Sequence, residues 1–321
     1  MKKIKTGVVG TGHLGRFHAL NYKKLSNAEF VGVYDVDHKK AEKVARETKT
    51  QAFSDLDSLL NAVEAISLAV PTDLHHEIGL KILNNKIHCL IEKPIASDCQ
   101  EADALIKAAR KNSLVLHVGH IEKFNPALRA LTDFTIQPQF IESHRLALFN
   151  PRGTEVSVVL DLMIHDLEII LDLIRSPVKS IDASGVAVVS NAVDIANARI
   201  RFTNDAVVNL TASRISQKNM RKMRMFQKDA YVSVDFLNRI SEIFHLNEHG
   251  DTPGKIIGDI GTGDQKRNIY YHKPRVPKEM GLEVELNNFL DQINGKNTTA
   301  VTGKQAREAL AIAHEILDQI T

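Results

Sequence analysis

Between residues 4 and 118 short apolar runs alternate with segments whose apolar residues recur at helical spacing. Ile4 to Val9 reads as a strand, His13 to Lys24 as a helix, Phe30 to Tyr34 as a second strand and Lys39 to Glu47 as the helix after it. Ala65 to Val70 is apolar on both faces, the pattern of a buried central strand, and Pro71 stops it. Helix over Leu74 to Leu83, strand over Cys89 to Ile91, helix over Ala102 to Ala109 and strand over Leu114 to Val118 complete the series. Strands that alternate with helices at this spacing predict a doubly wound parallel sheet, and we place the first domain at residues 1–119.

Beyond Gly119 the pattern changes. Phe140 to Leu148 reads as a strand and Val158 to Ile174 as a long buried helix. Strand-like segments then follow one another at Val178–Val189, Ile195–Phe202, Ala206–Ala212, Met223–Phe226, Tyr231–Phe236 and Ile243–Leu246. Strands without crossover helices between them predict a mostly antiparallel sheet, so residues 120–321 form an α+β second domain. Two helices, Glu279–Ile293 and Gly303–Ile320, close the chain, and the polar, glycine-rich stretch 248–273 predicts a long loop.

Composition narrows the function classes. The chain has 321 residues, is 43% hydrophobic and 25% charged, and carries a formal charge of +2, which argues against a nucleic-acid partner. Its two cysteines, Cys89 and Cys99, make no metal or disulfide pattern and suit a reducing compartment. The N-terminus lacks a signal-peptide core, and no apolar run reaches membrane-spanning length, so a cytoplasmic protein with no membrane partner is expected.

The chemistry begins at Gly10-Thr-Gly12-His13-Leu14-Gly15, which follows a predicted strand and opens a predicted helix. The first glycine permits a tight turn, the second lets backbone approach a pyrophosphate, and the third lets helix and strand pack closely. Asp35, twenty residues after Gly15, ends the second strand. An acid there suits the adenine-ribose hydroxyls and repels a 2′-phosphate, so a Rossmann domain that prefers NAD to NADP is expected.

Lys93, in Glu92-Lys93-Pro94, stands at the carboxyl end of a strand, where open α/β sheets bind ligands, and could stabilise a developing alkoxide. The same triplet also fits solvated surface. Asp161, His165, Glu168 and Asp172 share one face of the long helix. A histidine beside a carboxylate can serve as a general base, and a solvent-facing polar stripe explains Asp161 and His165 equally well. For Glu168 and Asp172 the solvent-facing reading is preferred. His75-His76 lacks the further ligands a zinc site needs, so no metal is expected, and a surface position is expected for His75. Arg214, Lys218, Arg221, Lys222 and Arg224 could bind phosphate or form a solvated face.

Taken together, Gly10–Gly15, Pro71-Thr-Asp-Leu-His75, Glu92-Lys-Pro94 and the Asp161-xxx-His165 helix resemble the glucose–fructose oxidoreductase/inositol dehydrogenase (Gfo/Idh/MocA) family over nearly the whole chain. The resemblance implies a large, open, mostly antiparallel second sheet that serves as a homodimer or homotetramer interface. It implies that Lys93, Asp161 and His165 form the catalytic group for oxidising a secondary sugar hydroxyl. Cofactor contacts are implied for Gly10, Gly12, His13, Leu14, Gly15, Asp35, Pro71, His75, Glu92 and Lys93. The segments 118–126 and 159–166 resemble the branch that oxidises the 3-hydroxyl of UDP-N-acetylglucosamine ahead of an amino transfer in lipid A synthesis, or of the related uronic acid. Substrate contacts are then implied for Lys93, His120, Asn125, Arg221 and Arg224, with the basic cluster meeting the diphosphate. A simple sugar or polyol dehydrogenase and a non-catalytic NAD-binding regulator are the alternatives. A biliverdin reductase-like enzyme would not need the His165–Lys93 combination.

Overall fold

The computed structural model describes residues 2–151, 153–247 and 254–320, and the chain divides into two compact units. The first unit combines Met1–Phe124 with Met280–Ala311, and the second combines Asn125–Glu279 with Ile312–Thr321.

In the first unit the alternating pattern folds as β1 (Ile4–Val9), α1 (His13–Tyr22), β2 (Ala28–Tyr34), α2 (His38–Thr48), β3 (Gln51–Ala52), α3 (Leu56–Leu60), β4 (Ala65–Leu68), α4 (His75–Asn84), β5 (His88–Glu92), α5 (Cys99–Lys111) and β6 (Leu116–Gly119). The six strands are parallel and ordered β3-β2-β1-β4-β5-β6. The order reverses between β1 and β4, the crevice where such sheets bind dinucleotides. Three aspartates start helices here, with Asp37, Asp55 and Asp98 each accepting N–H bonds from the following turn.

The second unit holds α6 (Pro126–Arg129), β7 (Phe140–Leu146), α7 (Ile164–Ile174) and β8 (Val178–Val186), then β9 (Ile195–Phe202), β10 (Val207–Ser213), β11 (Met220–Gln227), β12 (Ala230–Asp235), β13 (Ile240–Asn247), β14 (Lys255–Ile260) and β15 (Arg267–His272). Nine strands form one sheet, ordered β14-β15-β13-β12-β11-β7-β10-β9-β8. All neighbours are antiparallel except β7 and β10. Alternation of side chains divides the sheet into two faces. One buries Ile141, Ser143 and Arg145 of β7 with Val208, Leu210, Ala212, Met223 and Met225. The other carries a row of rings, Phe140, Phe226, Tyr231, Phe244 and Tyr271, stacked or tilted at centroid spacings of 4.9–5.6 Å.

Three expectations change. The boundary at residue 119 gives way to a chain that re-enters its first unit. Leu286, Phe289 and Leu290 of α8 (Gly281–Ile293) join Ile4, Val8, Ala19, Tyr22 and Val33 in one apolar core, a long-range packing that no local pattern announces. The last helix, α9 (Gly303–Ile320), passes from the first unit to the second at Ala311. In the expected loop 248–273, residues 248–253 lie outside the described residues, and the rest contains β14 and β15. Ile256, Ile269, Tyr270 and Tyr271 are strand formers that outweigh the surrounding glycines once a sheet edge is offered. Finally, the long helix starts as a π turn, Val159–Met163, before α7 takes over at Ile164.

Candidate active site

In the first unit the three glycines of the turn are each needed for a different reason. Gly10 has φ +87°, and a Cβ there would meet the Ala69 carbonyl oxygen at 2.4 Å. A Cβ at Gly15 would meet the Gly10 oxygen at 1.8 Å, so helix and strand could not close. At Gly12 nothing lies within 4 Å of the added carbon. That open side is where a pyrophosphate would rest, beside the His13 and Leu14 end of α1, whose first N–H groups fall outside the helix's own ladder. Asp35 directly follows β2 and is already held: Oδ2 accepts the Thr11 N–H (2.6 Å) and hydroxyl (2.9 Å), and Oδ1 accepts the Asp37 N–H (2.9 Å). The carboxylate is thereby pre-set at the mouth of the turn. These residues fit a bound NAD.

At the end of β5 the Glu92 side chain turns inward. Its Oε1 meets His18 Nε2 of α1 at 2.8 Å, and its Oε2 accepts the Lys93 N–H at 3.3 Å. A Cβ on Gly119 would come within 2.9 Å of the same carboxylate. Glu92 therefore ties the phosphate-binding helix to the backbone of Lys93 instead of reaching outward. Lys93 is half-buried, and its bond to Pro94 is cis. His75 is not the surface histidine expected from sequence. It is fully buried, with Nδ1 2.9 Å from the Pro94 carbonyl and Nε2 3.0 Å from the Val70 carbonyl. Burial lowers its pKa against the pull of those two carbonyls, so the ring is neutral and donates to one of them at a time. It braces two loops at the sheet's carboxyl end, with one carbonyl beside each ring nitrogen, while Pro71 is exposed.

His120, expected to touch substrate, is 1% exposed at the end of β6. Burial, with the charges of Lys93 and Lys123 adding, pushes its pKa down to about 3. The ring is therefore neutral and lies beside Lys93.

In the second unit Asn125, also expected to touch substrate, makes two contacts within the fold. Its Oδ1 caps α6 through the Ala127 N–H (3.0 Å) and its Nδ2 donates to the Phe236 carbonyl (3.1 Å). An Asn before Pro at a helix start is an N-cap signal, which the sequence reading passed over.

Asp161 and His165 are both half-buried and flank the switch from π turn to α-helix. Such turns recur at functional sites because the extra residue re-aims a side chain. Glu168, expected at the solvent face, is 2% exposed, because α7 is buried around most of its circumference, with Leu167, Ile169 and Ile170 buried as well. Asp166, next to His165, lies off the polar stripe that the helical spacing defines. It is buried against Arg145 of β7 in a two-armed contact of 2.6–3.2 Å.

The basic cluster does not exist as one patch. Arg214 is 6% exposed and spent internally, with Nη1 donating to the Gly153 carbonyl (3.0 Å), Nη2 to the Val156 carbonyl and Nε 3.7 Å from Asp194. Burial pushes the Asp194 carboxyl up, but hydrogen bonds from Val188, Val189 and Ser190 outweigh it and hold the pKa at about 2. Arg221 and Arg224 both lie within β11, which begins at Met220, three residues before the strand start expected at Met223. Three residues apart on a strand, they must point to opposite faces. Arg224 shares the ring-bearing face and pairs with Glu142 opposite it; Lys222, on that face too, pairs with Asp235 at 3.2 Å. Arg221 stands opposite Arg145 on the face of β11 that carries Met223 and Met225. Among the described residues no cluster of histidines, cysteines or carboxylates could hold a metal.

A six-stranded nucleotide-binding sheet with a Gly-rich turn and a ribose acid, joined to a large antiparallel sheet, defines a two-part NAD-linked oxidoreductase. The chain belongs to the GFO/IDH/MocA family: the family's NAD-binding Rossmann fold matches residues 4–120 and its C-terminal domain matches residues 141–231. It is 38% identical over 317 residues to the UDP-N-acetylglucosamine 3-dehydrogenase of Acidithiobacillus ferrooxidans, covering 98% of this chain and 97% of that one. A solved structure of that enzyme superposes with TM-score 0.89 at 36% identity, covering 100% of this chain and 98% of that one. The glucose-6-phosphate 3-dehydrogenase of Bacillus subtilis is 35% identical over 119 residues, 37% of this chain and 33% of its own. A levoglucosan dehydrogenase solved with NADH shares the fold at 16% identity, with TM-score 0.83 and coverage of 99% and 97%.

Proposed function

We propose that this protein is an NAD-dependent dehydrogenase that oxidises the 3-hydroxyl of UDP-N-acetylglucosamine, or of the corresponding uronic acid, to the ketone. The observation that carries the reading is likeness along 98% of the chain to a UDP-N-acetylglucosamine 3-dehydrogenase. Lys93, Asp161 and His165 all stand in the chain, which favours a catalyst over an NAD-binding regulator. When bound, NAD supplies the acceptor for the hydride leaving C3. His165 takes the hydroxyl proton, Lys93 donates a hydrogen bond to the same oxygen as negative charge grows on it, and Asp161 orients the site. In the first unit, the Glu92–His18 contact and the buried His120 hold the strand end from which Lys93 projects. Arg221 is the candidate partner for the substrate diphosphate, because it lies on the same sheet face as Arg145, which binds the helix carrying His165.

Incubation with NAD and a panel of free and UDP-linked sugars, followed by mass analysis, tests the reading. Loss of two hydrogens from UDP-N-acetylglucosamine or its uronic acid is the expected outcome. Oxidation of free sugars or inositols alone would replace it with the polyol reading.

The same reading makes the protein a cytoplasmic homo-oligomer acting ahead of an amino transfer in lipid A synthesis. Support for the cytoplasm comes from the free cysteines Cys89 and Cys99. Support for assembly comes from the row of half-exposed rings on the open sheet face, a surface suited to a second copy of itself. Replacing Phe226 and Tyr231 with charged residues should shift the sedimentation coefficient to that of a monomer.

A further inference from the structure

We infer that Arg145 and Asp166 are a positioning pair: their ion pair sets the rotation of α7 against the sheet, and thereby the placement of His165. The inference rests on the assignment of His165 as the general base.

The pair is built for orientation. Arg145 projects from β7, between β11 and β10 near the middle of the nine-stranded sheet. Its Nε lies 3.2 and 3.1 Å from the two Asp166 oxygens, and its Nη2 lies 2.6 Å from Oδ1. The side chains are 3% and 4% exposed, and the guanidinium carbon sits 5.9 Å from the Phe236 ring centroid. Two parallel arms hold a direction, which a single contact cannot.

Stability is a poor explanation for such a pair. Desolvating two charges offsets most of their attraction, and apolar residues of similar size often serve a fold as well or better. The same elements already bury apolar side chains, Ile164, Leu167 and Ile170 on α7 and Ile141, Met223 and Met225 on the sheet. Location supplies the alternative. Asp166 follows His165 directly, just after the π turn ends at Met163, where the helical phase changes and the backbone pattern alone sets rotation weakly. With side-chain tips about 5–6 Å from a helix axis, a rotation of roughly ten degrees moves a tip by about 1 Å. A misplacement of about 1 Å at a reacting group costs on the order of a hundredfold in rate.

The test compares full-length Arg145→Met/Asp166→Leu and Arg145→Lys with wild type and His165→Ala, using NAD and UDP-N-acetylglucosamine. Thermal melting and NAD affinity report on folding, and kcat and KM report on the site. The double variant should melt cooperatively at or near the wild-type temperature and bind NAD normally. Its kcat should fall about thirtyfold or more, with KM changed less than about threefold. Arg145→Lys keeps the charge but loses the fork, and its kcat should fall by about tenfold. A folded double variant with kcat within about twofold of wild type would show a structural pair only and overturn the inference. If the double variant does not fold, Arg145→Lys decides alone, and unchanged kcat overturns the inference. Near-normal turnover in His165→Ala would instead remove the base assignment on which the inference rests, a result that the other variants cannot imitate.

Discussion

The turn at the start of α1 and the helix face at the start of α7 are built by opposite means. Around Gly10–Gly15 the backbone does most of the shaping. Missing Cβ atoms allow the close approach, and the Asp35 side chain is tethered by its neighbours' N–H groups. The buried histidines nearby, His75 and His120, are neutral. Around Asp161–His165 the shaping is done by buried charges. Arg145 grips Asp166, while Arg214 and Asp194 secure the stretch that leads into the π turn. A site that reads a constant pyrophosphate can be made of backbone. A site that aims one base at one hydroxyl needs side chains whose direction is fixed, and paired charges provide direction.

The largest effect should come from breaking the backbone-built half. Gly15→Ala places a carbon 1.8 Å from the Gly10 oxygen, so α1 must move, and affinity for NAD should fall by roughly a hundredfold or more, about 2.7 kcal/mol, in a fluorescence titration. Gly12→Ala, where the added carbon meets nothing, should leave the fold intact and disturb only the bound cofactor. Next come the side chains proposed for the chemical step. His165→Ala and Lys93→Ala should each lower kcat by about a hundredfold while NAD still binds, measured by steady-state kinetics and cofactor titration.

The two arginines of β11 sharpen the comparison further. Arg221→Ala should raise KM for the UDP-sugar by about tenfold, as for a lost charge-assisted contact. Arg224→Ala should change KM by less than about twofold, because that residue lies on the opposite face, paired with Glu142. Equal effects of the two would place the diphosphate elsewhere.

The smallest and most general effect is on acid stability. Burial, against a hydrogen bond to Gln292, pushes the His117 pKa from 6.5 down to about 4, and His120 falls to about 3. Both rings stay neutral in the folded state while the unfolded chain takes up protons below pH about 6.5. Their contribution is complete above that pH and is lost as pH falls towards the folded values. Urea unfolding at pH 7, 5.5 and 4.5 should show stability declining by up to about 1.4 kcal/mol per pH unit per histidine. His117→Asn should flatten that slope.

Asn125, His75 and His120 sit in motifs that suggest contact with a ligand, and the fold buries or hydrogen-bonds each of them. The residue type and spacing were legible; what each side chain faces was not. Glu92 belongs to the same group, since its carboxylate turns to His18, seventy-four residues away.

The amino-acid sequence by itself determined what depends on local periodicity and on the absence of side chains. The alternation of period two and period 3.6 specified the parallel sheet, most of the antiparallel one and the long helices. Glycines at 10, 12 and 15 with Asp35 specified a nucleotide turn, because only backbone freedom and one acid are required there. Tertiary structure alone decided which strand face each residue of β11 occupies, since one step in register exchanges Arg221 for Lys222 and moves a charge across the sheet. It also decided that α8 returns to the first core and that Asp166 finds Arg145, twenty-one residues earlier in the chain. Such pairings are set by which surfaces the whole fold buries together, and no window of the sequence contains both partners and the packing that joins them.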